Sequence, residues 1–391
     1  MKARAFYNPR MAKNFDICIR GAGIVGRTLA LQLASKQFRV ALVANDPPAT
    51  ADVRAFALNQ LSHDLLESVR CWPDAKDATP VLAMHVQAEG GGRVDFSASE
   101  QGTQALNWIV DVPALEARLQ EAVRYQSLIE VFDTPQNATL TVVCEGRAST
   151  TREEFGVDWL VTPYGQWALA TRVECAQAHA QVARQWFDHG EILAFLPMEG
   201  PQGNRCAVVW SVNPERAQQL QSLPSVDFCL ALETASHTCL GRLTTTCARA
   251  VWPLQQALAR RWIGTSVHGA AWVLAGDAAH NMHPLAGQGL NMGLADVNEL
   301  VRVLSTKAYW RTLDDPRLLR QYERARKADF ALLGQANDAL QQIFTQASPT
   351  LRTLRNWGMN QFERSGSIKH WVTRRAMGDA SSHPHQHKVF P

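Results

Sequence analysis

The stretch Ala271–Val301, AWVLAGDAAHNMHPLAGQGLNMGLADVNELV, decides how the rest of the chain is read. Trp272, Val273, Leu274 and Ala275 run into Gly276-Asp277, and after a Pro- and Gly-rich turn an apolar period begins at Leu290, Leu294, Val297 and Val301. This pattern predicts a buried strand, a loop, and a helix with a glycine-rich first turn. Gly287 and Gly289 remove side chains where the helix starts, so its unpaired backbone N–H groups stay open to an electron-rich ligand edge. Asp277 sits at the strand's exit, where a carboxylate can accept from ligand hydroxyls. The alternative, an acidic strand end before an ordinary glycine turn, leaves the coincidence of these residues unexplained.

A second glycine cluster lies more than 250 residues earlier. Phe15-Asp16-Ile17-Cys18-Ile19 reads as a strand followed by Gly21-Ala22-Gly23-Ile24-Val25-Gly26; Val25, Leu29 and Leu33 then recur at helical spacing, and Phe38 to Val43 makes a second strand. In this strand, GxGxxG, helix, strand context, Gly21 gives the tight turn, Gly23 the close approach of a pyrophosphate, and Gly26 the helix–strand packing of a dinucleotide site. A purely structural glycine turn is the competing reading. The acidic residue expected at the end of the second strand is replaced by Ala44, followed by Asn45 and Asp46. Either of these takes the ribose with a shifted turn, or both cap the turn before Pro47-Pro48.

At 391 residues the chain is long enough for two domains or for one with an inserted layer. A net charge of +3 gives no electrostatic case for nucleic acid. The excess belongs to the tail: Pro349–Pro391 has seven Lys or Arg against Glu363 and Asp379, leaving the remainder about −2. Eight cysteines without CxxC or metal spacing indicate a reduced, cytoplasmic protein with no metal site. MKARAFYNPRMAKNF has no apolar core of signal-peptide length, and no run reaches the ~18 apolar residues of a spanning helix.

Between the two clusters, Arg54 at the entrance of a helix-like stretch, Leu61 to Val69, suits either a phosphate or an exposed ion pair. Val81 to Phe96 alternates around Gly90-Gly91-Gly92 as a hairpin does, Pro113 to Val123 suggests a short helix, and Thr139 to Val143 another strand. That strand leads into Cys144–Arg152, which reads by spacing as a loop. From Asp158 to Arg249 strand-like runs dominate (Trp167–Val173, Ile192–Leu196, Cys206–Val212, Leu240–Ala248), a sheet-rich segment inserted between pieces of the nucleotide domain, with a pocket expected at the junction. Phe195, Trp210 and Trp252 are candidate pocket aromatics, although core packing is the commoner fate of such residues. Pro316 to Phe344 is an amphipathic helix. The tail sets Arg352, Arg355, Arg364, Lys369, Arg374 and Arg375 among Leu351, Leu354, Trp357, Phe362 and Trp371. Such a segment can lie on an anionic membrane, and a solvated basic helix or partner-docking face is equally compatible. His383, His385 and His387 belong to a terminal tail rather than a metal site.

GDAAHNMHPLAGQGLNMG at 276–293 resembles the second flavin motif of the class A FAD-dependent monooxygenases with the para-hydroxybenzoate-hydroxylase fold, and within them the ubiquinone-biosynthesis hydroxylases. Weaker echoes in the right order are DVRAFAL from Asp52, the AxQxF of Ala183, Gln185 and Phe187, the WPL of Trp252–Leu254, and YERAR after Gln321. The resemblance implies an α/β (α+β overall) fold. A discontinuous Rossmann-like FAD-binding domain (14–80, 100–160 and 255–310) carries an inserted β-sheet substrate domain (81–99 and 161–254), followed by C-terminal helices and basic tail (311–391). It implies that Gly21, Gly23 and Gly26 hold the FAD pyrophosphate with Arg54 beside it; at the ribose, where the acid is missing, Asn45 or Asp46 is the candidate. Gly276-Asp277 would bind the flavin's sugar-alcohol chain and Pro284 would lie near the isoalloxazine. Backbone from Gly287 through Gly289 and Leu290 to Asn291 would face its pyrimidine edge, where the helix dipole stabilises negative charge. The family's DGxxSxxR corresponds to Glu145, Gly146, Ser149 and Arg152, with Glu for Asp, and Val112-Pro113 stands where the ubiquinone hydroxylases usually carry polar residues.

The implied reaction uses NAD(P)H as a transient reductant and O2, through a flavin C4a-hydroperoxide attacked by an electron-rich ring, on a polyprenylated phenol of ubiquinone biosynthesis. Hydroxylation of a small soluble aromatic, or a catalytically impaired scaffold of a quinone-biosynthesis complex, are the alternatives. An NAD dehydrogenase would leave residues 271–301 without a role. Peripheral contact with the inner face of the membrane is expected through the tail, and no catalytic residue is singled out.

Overall fold

The computed structural model describes residues 15–44, 52–200, 202–267, 269–282, 288–345, 349–366, 369–370 and 373–374. Strand Phe15–Arg20 lies inside a six-stranded sheet, paired in parallel with Val40–Val43 on one side and Ala138–Val143 on the other. Ile129–Phe132 and Ala271–Leu274 extend the parallel array, and Ile263–Thr265 closes it in antiparallel sense. Ile17, Ile19, Val40, Leu42, Leu140, Val142 and Val273 are buried, as in a parallel sheet covered on both faces. Helix Ile24–Ser35 crosses over between the first two strands. Strand order reverses around Phe15–Arg20, and a ligand crevice belongs at the carboxyl ends of strands beside such a switch point.

The second sheet has nine strands, its main path running from His280–Asn281 through Ala250–Ala259, Trp159–Cys175, Arg205–Val212, Glu191–Met198, Val182–Asp188 and Ala83–Ala88 to Gly92–Ser97. Period-two alternation gives it two unlike faces. On one, Leu169, Trp186, Leu193, Phe195, Val208 and Trp210 pack on helices Pro214–Ser222 and Ser225–Ala235. Each large side chain fully buried there contributes up to about 1.5–3 kcal/mol. The opposite face, with Ala183, Gln185, Ala194, Ala207, Val209 and Ser211, floors a cavity. A smaller three-stranded sheet, Ala55–Leu58, Asn107–Asp111 and Ala78–Val81, joins the two layers.

Several expectations change. Phe195 and Trp210 are core residues on the helix-covered face, and only Trp252 of the three candidate aromatics lines the cavity. The run Leu240–Ala248 pairs only over Leu243–Thr245, because the chain is still turning at Gly241, φ +72°. Strands Trp159–Cys175 and Ala250–Ala259 pair from Trp159 opposite Ala259 onward, with a register shift between Pro163 and Trp167. Helix Pro316–Thr345 lies against the first sheet, where Tyr322 Oη donates to the Leu274 carbonyl at 2.9 Å. Helix Pro349–Arg364 covers the 83–97 hairpin: Asn356 Nδ2 donates to the Glu89 carbonyl at 2.8 Å, and Met359 is buried there beside Phe362.

Candidate functional site

Gly21 leaves the first strand with φ +108°, and a Cβ on it would stand 2.5 Å from the Cys144 carbonyl oxygen. A Cβ on Gly26 would stand 1.9 Å from the Gly21 carbonyl oxygen, so the turn and the helix–strand contact both exclude side chains. A Cβ on Gly23 would meet nothing within 4 Å. This residue borders the cavity and is the N-cap of helix Ile24–Ser35, which has no side-chain cap and no acid in its first turn. The leading N–H groups are therefore available to an anion.

Helix Gln288–Ser305 meets the same cavity through Gln288, Gly289, Leu290 and Asn291, again with no acid in its first turn and with open space at Gly289. The Asn291 side chain is taken up internally. Nδ2 donates to the Ala57 carbonyl at 2.8 Å, and Oδ1 accepts from Asn59 N–H at 3.0 Å and Ser62 Oγ at 2.7 Å, which pins the helix start to the small sheet. Any ligand contact by Asn291 is thus left to its backbone. Asn45, Pro284 and Gly287 lie outside the described residues.

Two aspartates at this junction have opposite characters. Asp277 lines the cavity, and burial pushes its carboxyl above the usual range despite the nearness of His280, Arg147 and Arg54. Asp296, fully buried on the helix, accepts from Gly276 N–H at 2.8 Å, from His280 Nε2 at 2.7 Å and from Arg326 Nε at 2.7 Å. Burial alone would raise it too, but His280 and Arg326 outweigh that and hold it below its ordinary value. The network fixes the Gly276 turn, with φ +61°, and so aims Asp277. Sequence reasoning missed Asp296, His280 and Arg326 as a unit. The available signal was the four-residue spacing of Asp296 with Met292 and Leu300, which places it on a buried helix face.

Arg54 borders the cavity and pairs with Asp52, its Nε 2.9 Å from Oδ1, so the ion pair forms on a side chain that also faces the cavity. Ala44 also borders it. Glu145 accepts from Ser149 Oγ at 2.8 Å and Thr151 N–H at 3.1 Å and pairs with Arg20 at 3.3 Å, while Ser149 caps the following helix. Arg152, buried over the Trp159 ring, donates to the carbonyls of Ala278 and Arg147 at 3.2 and 2.8 Å. Glu145 borders the cavity, while Ser149 and Arg152 are buried behind it and brace its loop against the turn at Ala278.

The glycine loops and the floor of the second sheet share a cavity of about 1770 Å³. Small-molecule pockets usually enclose about 300–1,000 Å³, so there is room for a cofactor and a second molecule.

The FAD binding domain family matches residues 76–333. The chain is 30% identical to ubiquinone hydroxylase UbiL of Rhodospirillum rubrum, over 93% of this chain and 89% of that protein. It is likewise 30% identical to 3-demethoxyubiquinol 3-hydroxylase of Escherichia coli, over 93% and 98%. This chain is a class A FAD monooxygenase of the ubiquinone hydroxylase family. Among solved structures it superposes on p-nitrophenol 4-monooxygenase PnpA of Pseudomonas putida (TM-score 0.72, 16% identity, covering 94% of this chain and 99% of that one). It also superposes on Pseudomonas aeruginosa PqsL (0.74, 19%, 89% and 100%), and at these identities the likeness concerns the fold.

The residues of this monooxygenase fit FAD. Open space at Gly23 and Gly289 is a cradle that a Cβ would fill, and two helix starts with no acid in their first turns supply N–H donors for an anionic dinucleotide. No helix among the described residues is long and apolar enough to cross a membrane.

Proposed function

We propose that the protein hydroxylates a polyprenylated phenol of ubiquinone biosynthesis, using O2 and an NAD(P)H that binds transiently. The observation that carries this reading is the reach of the cavity. It runs from the glycine loops over the apolar floor of Ala194, Leu196, Ala207 and Val209 to Thr373 in the basic tail. A small polar aromatic has no use for so long an apolar surface, whereas an isoprenoid chain can cover it.

Gly21, Gly23 and Gly26 would hold the pyrophosphate with Arg54 beside it, Asp277 would accept from the sugar-alcohol chain, and backbone from Gly289 to Asn291 would face the pyrimidine edge. FAD, when bound there, supplies the redox and oxygen-activating chemistry. The protein's own work is to exclude water with Trp252, Leu254 and Met84 around the ring site, and to keep the Gly276–Asp277 turn rigid through Asp296. Peripheral membrane contact and membership of a quinone-biosynthesis complex complete the reading. The exposed Trp357 beside the tail's basic residues supports the former.

The test is purification followed by assay with prenylated and unprenylated phenols. A yellow protein whose NAD(P)H oxidation is coupled to hydroxylation of the prenylated ring is expected. A preference for the short soluble phenol would favour the small-aromatic reading, and a protein that takes up no FAD would overturn hydroxylation altogether.

A further inference from the structure

The cavity floor is almost featureless. From Val182–Asp188, Glu191–Met198, Arg205–Val212 and Trp159–Cys175 it receives Ala183, Ile192, Ala194, Leu196, Ala207, Val209 and Ala170, and polar side chains only at Gln185 and Ser211. Both are more than nine-tenths buried, at 6% and 3% exposure, yet both border the cavity. Among the described residues neither side chain has a hydrogen-bond partner, whereas Ser62, Thr171 and His179, buried elsewhere, are each engaged. Their polar groups open onto the cavity with no partner from the protein, so they are free to pair with a molecule that occupies it.

Their placement says what that is. Gln185 stands opposite Ala194, Ala194 opposite Val209 and Val209 opposite Ala170, so no side chain larger than valine shares its row on the cavity face. Ser211 is two strands across and two residues along, roughly 12 Å from Gln185 between Cα atoms. That separation suits a flat ring lying on the alanine floor with oxygens at opposite positions and a hydrogen bond at each end. A carboxamide offers both a donor and an acceptor, so it accommodates a ring hydroxyl or an ether oxygen, and a serine hydroxyl does the same.

Building on the proposed phenol hydroxylation, we infer that Gln185 and Ser211 are the specificity-determining residues of the substrate site, anchoring opposite oxygens of a ring oxygenated at two para positions. They are positioning residues: they set which ring edge faces the flavin half of the cavity, and they reject rings lacking one oxygen.

The experiment compares binding of a short-chain prenylated 1,4-hydroquinone, kept anaerobic, with that of the matching prenylated phenol lacking one ring oxygen. Binding is read from the perturbed absorbance of the FAD-loaded protein. Wild type is expected to favour the two-oxygen ring by about tenfold or more, because a buried polar group left unpaired penalises the analogue. Gln185→Leu and Ser211→Ala should each abolish most of that preference by weakening the two-oxygen ring, with the one-oxygen ring changed less than threefold. Gln185→Asn, which keeps the amide on a shorter stem, should recover part of it. FAD content and the unfolding midpoint, measured on the same samples, report whether a variant folds, and the ratio of the two affinities is a quantity that mere loss of packing does not move selectively. Equal binding of the two rings by wild type, or an unchanged preference in both variants, overturns the anchor alone. A wild-type flavoprotein that binds neither ring overturns phenol hydroxylation and the anchor with it.

Discussion

Replacing Asp277 by Asn should make the cofactor-free protein no less stable while weakening FAD. Burial holds the Asp277 carboxyl above its ordinary value of 3.8, which means that the folded protein without ligand carries this charge at a cost. The sign follows from linkage. A carboxyl raised on folding contributes stability that is complete below its unfolded value and is lost as pH rises through the raised folded value. Asn carries no charge at any pH, so wild type and Asp277→Asn should unfold alike near pH 4, and the variant should be equally or more stable at pH 7. Binding runs the other way, since a hydrogen bond from a ligand hydroxyl to a carboxylate is worth about 1.5–3 kcal/mol, or roughly 10- to 100-fold in Kd. Urea unfolding of the cofactor-free protein at both pH values, with fluorescence titration of FAD, measures both effects. A variant less stable than wild type at pH 7 that binds FAD as tightly would refute the assignment of Asp277 to the ligand.

Asp296→Asn should do the reverse and destabilise the cofactor-free fold by about 3–5 kcal/mol, because it removes the buried charge partner of Arg326 and leaves it only the exposed Asp329. With its carboxyl held low by His280 and Arg326, Asp296 contributes stability above its ordinary 3.8 that disappears as pH falls below it, so the variant's deficit in urea should shrink on acidification. Gly26→Ala should unfold at lower urea, since its Cβ would lie 1.9 Å from a backbone oxygen, whereas Gly23→Ala should match wild type without cofactor and differ only in FAD titration. Removing the chain after Pro349 would uncover the 83–97 hairpin, so the tail's membrane role is better tested with Trp357→Ala, whose side chain is 61% exposed. That variant should sediment less with anionic vesicles at low salt, and unchanged sedimentation would exclude Trp357 as a membrane contact.

The nucleotide layer was legible because its cues are local. A glycine at positive φ, a glycine against a carbonyl and an apolar strand are each dictated by neighbours within a few residues, so Gly21, Gly26, Ala271–Leu274 and the stripe from Leu290 to Val301 appear as read. The inserted sheet was half legible. Its runs of Val, Trp and Ile announce strands, but alternation does not say which face meets helices and which meets a cavity, and Phe195 and Trp210 went to the helix side. Helix Pro214–Ser222 carried its own start signal, Asn213 before a Pro, with Asn213 Oδ1 accepting from Arg216 N–H at 2.8 Å, but the surrounding β-rich composition obscured it. The Asp296 cluster was the least visible, because Gly276, His280, Asp296 and Arg326 meet only when one helix, one turn and a second helix from the far end of the chain are packed together.

That packing also bears on the missing acid at Ala44. The helices that begin at Gly23 and Gln288 touch through Val25, which lies 2.8 Å from where a Cβ of Gly293 would be and 3.3 Å from that of Gly276. The glycine contact therefore sets the spacing of two helix starts, each uncapped by acid and each bordering one cavity. A helix N-terminus carries about half a positive charge, so the two together offer an extended anionic ligand a fixed field at two points along its length. A carboxylate on the ribose would add one hydrogen-bonded contact to a ligand already held by the phosphates and the ring edge. With Ala44 in its place, the burden shifts to the rigidity of the helix pair, and rigidity there depends on Gly276 and Gly293 remaining glycine and on Asp296 remaining charged.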